Sequence, residues 1–199
     1  MELLLIRHAL PMRVEGAAGP ADPPLAELGH QQSRALVDWL APEPLDALHV
    51  SPMVRARETA VPLAAARGLE PVVTEGVAEF DKDADSYVPM EELKAAGDPR
   101  WQEIVDGGYF GDGDLTPEQF QSTVVEAVEG IIAANAGATV AVVCHGGVIN
   151  AYVAHVLGID DLLFFEPGYT SVNRIRASRR GHRMVVSLNE TAHLRALRS

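Results

Sequence analysis

Short apolar runs alternate along this chain with longer stretches in which apolar residues recur every three or four positions. Residues 3–6 and 139–144 are nearly continuous apolar runs, the pattern of central strands buried on both faces. Residues 48–50 and 71–73 read as two further short strands, and 171–177 with 183–188 flank the polar turn SRRGH as a hairpin. Between them, Leu36, Val37 and Leu40 mark an amphipathic helix over 27–40. A second helix is expected to be capped by Ser51, with Pro52 in its first position, to carry Arg55, and to stop at Gly68. Thr116 and Pro117 open a third, with Phe120, Val124, Ala127, Val128 and Ile131 on one face, and 148–157 forms a fourth, ended by Gly158. Strands alternating with helices predict an α/β fold: a three-layer sandwich with a mostly parallel central sheet and an antiparallel edge.

The periodicity fades over 80–114, leaving short helical pieces at 91–96 and 99–105 and the run GGYFGDGD. The expected organisation is one domain over 1–199, with 80–114 as a helical, lid-like insertion. Composition agrees, since 47% hydrophobic and 22% charged residues exclude a disordered, collagen-like or coiled-coil chain. Cys144 is the sole cysteine, which excludes a disulfide framework and a multi-cysteine zinc site. The opening apolar run is too short for a signal peptide, and no apolar stretch is long enough to span a membrane. A cytoplasmic protein is therefore expected. Its net charge of -12 argues against nucleic acid as a partner, and the charge is uneven: 75–118 holds 13 acidic residues against 3 basic ones.

Two apolar strands end in histidine, LLLIRHA at 3–9 and VAVVCHGG at 140–147. In open α/β sheets ligands bind outside the carboxyl ends of strands, so His8 and His145 are candidates to face one site. Arg7 and Arg55 add two permanent cations, costly to gather without an anion to bind. Gly146 and Gly147 leave backbone amides open at a helix start, a further anion-binding feature. The glycines fit neither a dinucleotide fingerprint nor a P-loop. His8, His145 and His193 lack metal-ligand spacing, and neither metal nor cofactor is expected.

These residues lie in four ordered segments that resemble the histidine phosphatase superfamily, in its phosphoglycerate-mutase-like branch. The segments are the opening strand with Arg7 and His8, DPPLAELGHQQSRAL at 22–36, SPMVRARETA at 51–60 and CHGG at 144–147. The closing LNETAHL at 188–194 is similar to the family's tail. The resemblance implies that His8 is the nucleophile and becomes a phosphohistidine, with Arg7, Arg55 and His145 around the phosphoryl oxygens. A neutral imidazole nitrogen attacks phosphorus well, and guanidinium forks match the charge spreading over its oxygens. By the same resemblance an acid after the third strand protonates the leaving group, at the place of Glu79, with Glu75 and Asp81 as rivals.

The chain departs from the family at three points. Ala9 stands where the family writes glycine, Val14 where many members carry a phosphate-touching asparagine, and no NERxYG-like run occurs. Arg13 is a candidate replacement for the asparagine. The missing run disfavours a mutase. The expected activity is a metal-independent phosphatase for a small phosphomonoester; the alternatives are a phosphoglycerate-type mutase and a phosphate-binding module without turnover. No coiled-coil seam or other signature sets an oligomeric state. The acidic stretch favours one phosphate on a neutral, apolar or cationic body, with Tyr87, Trp101, Tyr109 or Phe110 as apolar contacts.

Overall fold

The computed structural model describes residues 1–105 and 115–197; Tyr109 and Phe110 lie outside them. Six strands form one sheet: β1 (Glu2–Arg7), β2 (Ala47–Val50), β3 (Val72–Val73), β4 (Thr139–Cys144), β5 (Val172–Ala177) and β6 (Arg183–Glu190). Their order is β3-β2-β4-β1-β5-β6. The pairs β2/β3, β2/β4 and β1/β4 are parallel, while β1/β5 and β5/β6 are antiparallel. The mostly parallel sheet with an antiparallel edge is the arrangement expected from the sequence.

Alternation along β1 sends its side chains into two cores. Leu3 and Leu5 pack with α5 (Pro117–Ala134) and α6 (Gly146–Leu157), through Val124, Val128, Val148 and Ile149 among others. Leu4 and Ile6 pack against α1 (Glu27–Leu40) and α2 (Val54–Arg67), through Leu36, Leu40, Ala60 and Leu63. Both faces of the strand are dry, which is why the run shows no polar alternation. The result is three layers with the parallel strands' carboxyl ends at one edge.

The helix ends show which signals were local. Thr116 Oγ1 accepts from the Gln119 amide at 3.2 Å and Gln119 Oε1 accepts from the Thr116 amide at 2.9 Å, a capping box that starts α5. Gly68 and Gly158 end α2 and α6 at φ +62° and +67°, a conformation that favours glycine. At α2 the expectation fails: the helix starts at Val54 with Met53 at the N-cap, not at Ser51. The Asp22 carboxylate accepts from the Val54 amide at 3.0 Å, so this helix is capped from far upstream. Helix α6 begins at Gly146, two residues before the apolar pattern, because glycines carry no side chain for periodicity to register.

Within 80–105 lie α3 (Met90–Ala96) and α4 (Pro99–Val105), close to the expected pieces. A reciprocal bridge between Val14 and Tyr87, at 2.9 and 2.7 Å, ties this segment to the loop after β1. Among the described residues no helix is long and apolar enough to cross a membrane.

Candidate active site

Strand register brings the two histidine motifs together. Arg7 pairs with Cys144 at the ends of β1 and β4, so the next residues, His8 and His145, stand side by side with ring centroids 5.1 Å apart. The backbone beyond β1 is held on every side: the His8 amide donates to the Cys144 carbonyl at 2.8 Å, and the Thr170 amide donates to the His8 carbonyl at 3.3 Å. The Ala9 amide donates to Thr59 Oγ1 at 2.9 Å, and the Thr59 hydroxyl donates to the Arg55 carbonyl at 2.7 Å. The Leu10 amide donates to Gln32 Oε1 at 2.9 Å. Segments 22–36 and 51–60 thus build the frame around His8.

These contacts decide the tautomer of His8. Its Nδ1 lies 2.8 Å from the Ala9 carbonyl, which can only accept, so Nδ1 carries the proton and Nε2 keeps its lone pair. Burial first, then Arg55 and Arg7, push the His8 pKa well below 6.5. His145 is lowered by burial, Arg55, His8 and Arg7 in that order. Ser51 Oγ accepts from the Met53 amide at 3.3 Å and lies 2.7 Å from His145 Nε2, so its hydroxyl proton is available to that nitrogen. His145 Nδ1 is then left with the ring proton, and it has no hydrogen-bond partner among the described residues.

Arg55 is fully buried, an unusual place for a guanidinium. Its Nη2 donates to Asp81 Oδ1 at 3.0 Å, Asp22 stands 3.8 Å from Nη1, and the Tyr87 ring lies 4.6 Å from Cζ. Its Nε and Nη1 have no hydrogen-bond partner among the described residues. Arg7 Nη1 donates to the Pro167 carbonyl at 2.7 Å and lies 3.5 Å from Glu91 Oε1, while the Tyr169 ring covers Cζ at 4.0 Å. Both arginines are held in place by an aromatic face.

Arg7, His8, Arg55, Glu79, Asp81, Gly146 and Gly147 line one cavity of about 830 Å³. Among the three acids, Glu75 is exposed on the turn Glu75–Val77, whereas Glu79 is buried. Glu79 Oε2 accepts from the Gly147 amide at 2.9 Å, at the start of α6. Burial first and the neighbouring Asp81 second push Glu79 up to about 7, against the opposing pull of Gly147, Arg55 and Phe80. Asp81 is also raised by burial, but it is bound to Arg55. Glu79 is therefore the carboxyl in this cavity that can both hold and release a proton near neutrality.

The departures from the resembled pattern have physical answers. Outside glycine, positive φ occurs among the described residues only at Thr170 and Asn189, so Ala9 bears no strain from its methyl group. Arg13 does not reach the cavity: it is exposed, with Nε donating to Glu15 at 2.6 Å and Nη1 to Glu92 at 3.2 Å. Val14 acts through its backbone, in the bridge to Tyr87. Cys144 is buried and its thiol pKa is raised by that burial, so it stays inert. Among the described residues no group of three or more His, Cys, Asp or Glu is placed to hold a metal ion.

Sequence reasoning missed Tyr169, whose ring also lies 5.8 Å from His8, and Asn150. Asn150 Nδ2 donates to the carbonyls of Gly146 at 3.0 Å and Phe165 at 2.9 Å, pinning the 160–167 loop to the start of α6. Tyr169 lies between the predicted elements, and Asn150 lies inside the helix read over 148–157, where the apolar pattern marks the helix but not the task of a polar side chain within it.

Comparison with known proteins places this geometry. The family model described as histidine phosphatase superfamily (branch 1) matches residues 3–191. The chain is 30% identical over 201 residues to phosphoserine phosphatase 1 of Hydrogenobacter thermophilus, covering 98% of this chain and 94% of that protein. A phosphoserine phosphatase mutant from Entamoeba histolytica, solved with phosphoserine, superposes with a TM-score of 0.75 at 23% identity, over 97% of this chain and 98% of that one. YhfR of Bacillus stearothermophilus superposes with a TM-score of 0.76 at 24% identity, over 97% and 98% of the two chains.

Proposed function

The chain belongs to the histidine phosphatase superfamily (branch 1) as a phosphomonoester phosphatase, and we propose that it works without a metal, through a phosphohistidine on His8. The observation that carries this reading is a neutral His8, its Nδ1 tied to Ala9, standing with Arg7 and Arg55 in the cavity that also holds Glu79.

The substrate's phosphate would sit between the two guanidiniums, with Arg55 Nε and Nη1, which make no hydrogen bond among the described residues, as donors to its oxygens. His145 Nδ1–H and the Gly146 amide, next to the Gly147 amide that Glu79 occupies, would complete the set. The lone pair of His8 Nε2 attacks phosphorus; the P–N bond forms as the P–O bond to the leaving alcohol breaks. Glu79 gives its proton to the departing oxygen. Glu79, now a carboxylate, takes a proton from water, the water oxygen bonds to phosphorus, and the P–N bond breaks. Phosphate leaves, and His8 and Glu79 return to their starting states. A pKa near 7 suits a group that must be acid in one step and base in the next.

The described part of the segment 80–114, residues 80–105, acts in this reading as a lid-like insertion in a single domain, since Phe80, Tyr87, Met90, Leu93 and Trp101 line the cavity. The relative from Hydrogenobacter thermophilus is a phosphoserine phosphatase, which supports a small phosphomonoester as substrate here. A cytoplasmic setting fits a single, buried thiol.

Rapid acid and base quench with labelled p-nitrophenyl phosphate tests the proposal. A base-stable, acid-labile phosphoenzyme should form, vanish in His8→Ala, and survive EDTA. Full turnover by His8→Ala, or loss of turnover with chelator, would overturn it.

A further inference from the structure

The cavity is far larger than a phosphate and a three-carbon body require. Its volume of about 830 Å³ lies in the upper part of the range that encloses drug-sized ligands. Besides Arg7, His8 and Arg55 its lining holds a set of apolar side chains, Leu93 and Trp101 from α3 and α4 and Leu162, Phe164 and Phe165 from the loop after α6. Apolar side chains left facing an open cavity cost about 25 cal/mol for each Å² they keep in water, so an apolar occupant would relieve that cost.

The wall is also fixed relative to the phosphate end. Asn150 Nδ2 bonds the Gly146 and Phe165 carbonyls at 3.0 and 2.9 Å, and the Phe165 amide donates back to Asn150 Oδ1 at 3.3 Å. The Phe164 and Phe165 rings stand 5.0 Å apart. An apolar body would therefore meet a surface held in register with the reacting phosphorus.

Charge in the outer cavity points the same way. Among the described lining residues the one cation besides Arg7 and Arg55 is Arg100, already held by Asp98 through Nε at 3.0 Å and Nη2 at 2.7 Å. Glu118, Asp160, Asp161 and Glu166 supply carboxylates to the lining, and Lys94, whose Nζ lies 5.1 Å from the Trp101 ring, is paired with Glu166 at 3.9 Å. A substrate carboxylate or second phosphate would find repulsion and no unengaged guanidinium.

We propose that the preferred substrates are monophosphates of an uncharged apolar alcohol of about six or more carbons, seated against the wall formed by Trp101, Leu162, Phe164 and Phe165. The proposal rests on the phosphatase reading of the same cavity.

A panel of n-alkyl phosphates separates the two, because ethyl and n-hexyl phosphate release alcohols of nearly equal acidity and differ only in buried chain. Each buried methylene is worth about a fourfold gain, so kcat/KM should rise at least tenfold from ethyl to n-hexyl phosphate. The n-hexyl ester should also exceed phosphoserine and 3-phosphoglycerate, and Trp101→Ala should flatten the chain-length trend. A flat or falling trend in the unmodified protein, or phosphoserine or 3-phosphoglycerate as the best substrate, would overturn the proposal while leaving the phosphatase reading intact. Absence of turnover with every ester, p-nitrophenyl phosphate included, would overturn both.

Discussion

Gly147 gives Glu79 its room: a Cβ built on Gly147 would fall 2.3 Å from Glu79 Oε1 and 2.9 Å from the Phe80 ring. The neighbouring glycine is not under the same constraint, since a Cβ at Gly146 meets only Arg7 Nε, at an ordinary 3.8 Å. Gly147→Ala should displace the carboxyl and lower kcat on an alkyl phosphate by about 100-fold, the scale of a 1 Å misplacement of a reacting group. Gly146→Ala should stay within about threefold of the unmodified protein. Equal effects of the two substitutions would show that Glu79 is not held where the proton is needed.

Glu79 should matter in proportion to how badly the leaving group needs a proton. Glu79→Gln keeps the shape but cannot deliver one, so turnover of alkyl phosphates should fall by about 100-fold to 10,000-fold. Formation of the phosphoenzyme from p-nitrophenyl phosphate, whose phenol leaves unaided, should fall by less than about tenfold. Parallel losses in single-turnover measurements on the two ester types would leave Glu79 a structural role and transfer the proton to Asp81, the other acid of the three that lines the cavity.

The same carboxyl should cost stability at alkaline pH. Glu79 is held up to about 7, above its unfolded value, so the folded state keeps its proton where the unfolded chain has released it. Stability contributed by this group is thus present below about pH 4.3 and falls as pH rises towards 7. Glu79→Gln puts a neutral amide in place of the carboxyl, so it should leave urea stability nearly unchanged at pH 4 and raise it at pH 8, by a few kcal/mol at most. A variant less stable at pH 8 than the unmodified protein would contradict the assignment.

His8 should stay uncharged well into the acid range. Burial and the two arginines lower its pKa, and the Ala9 carbonyl keeps the proton on Nδ1. Nitrogen-15 spectra should show His8 as the neutral Nδ1–H tautomer at pH 6, with protonation only at more acid pH. An ordinary midpoint near 6.5, or a proton on Nε2, would remove the nucleophile from the mechanism.

What could be read from the sequence was set by local chemistry. Strands β1 and β4 are legible because both their faces are buried, and α5 because its cap and its apolar stripe lie within the helix itself. Arg7, His8 and His145 follow from standing at the ends of parallel strands. The choice among Glu75, Glu79 and Asp81 was not legible: the short turn Glu75–Val77 sends Glu75 outward while Glu79 turns in, and only the packing of α6 against that segment decides which carboxyl is dry. Ser51 misled for a related reason. Its hydroxyl serves His145, and the cap it was expected to provide comes from Asp22, across the loop that the segment 22–36 begins.

Thr170 links the last turn of the chain to the nucleophile. It is buried with φ at +52°, a left-handed conformation that costs a β-branched residue about 1 kcal/mol or more. Its hydroxyl lies 3.0 Å from His193 Nε2, and its amide bonds the His8 carbonyl at 3.3 Å. Thr170→Val keeps the branched shape and the strain but leaves the imidazole nitrogen without its partner, so it should destabilise by about 1–3 kcal/mol. Thr170→Gly loses the same bond yet relieves the backbone, and should be the milder of the two in urea unfolding. Because Thr170 follows directly on Tyr169, whose ring covers Arg7, both variants should raise KM for p-nitrophenyl phosphate severalfold. If Thr170→Gly proves the more damaging for stability, the φ strain is not the governing cost; if KM stays unchanged in both, the Tyr169 contact holds Arg7 without help from Thr170.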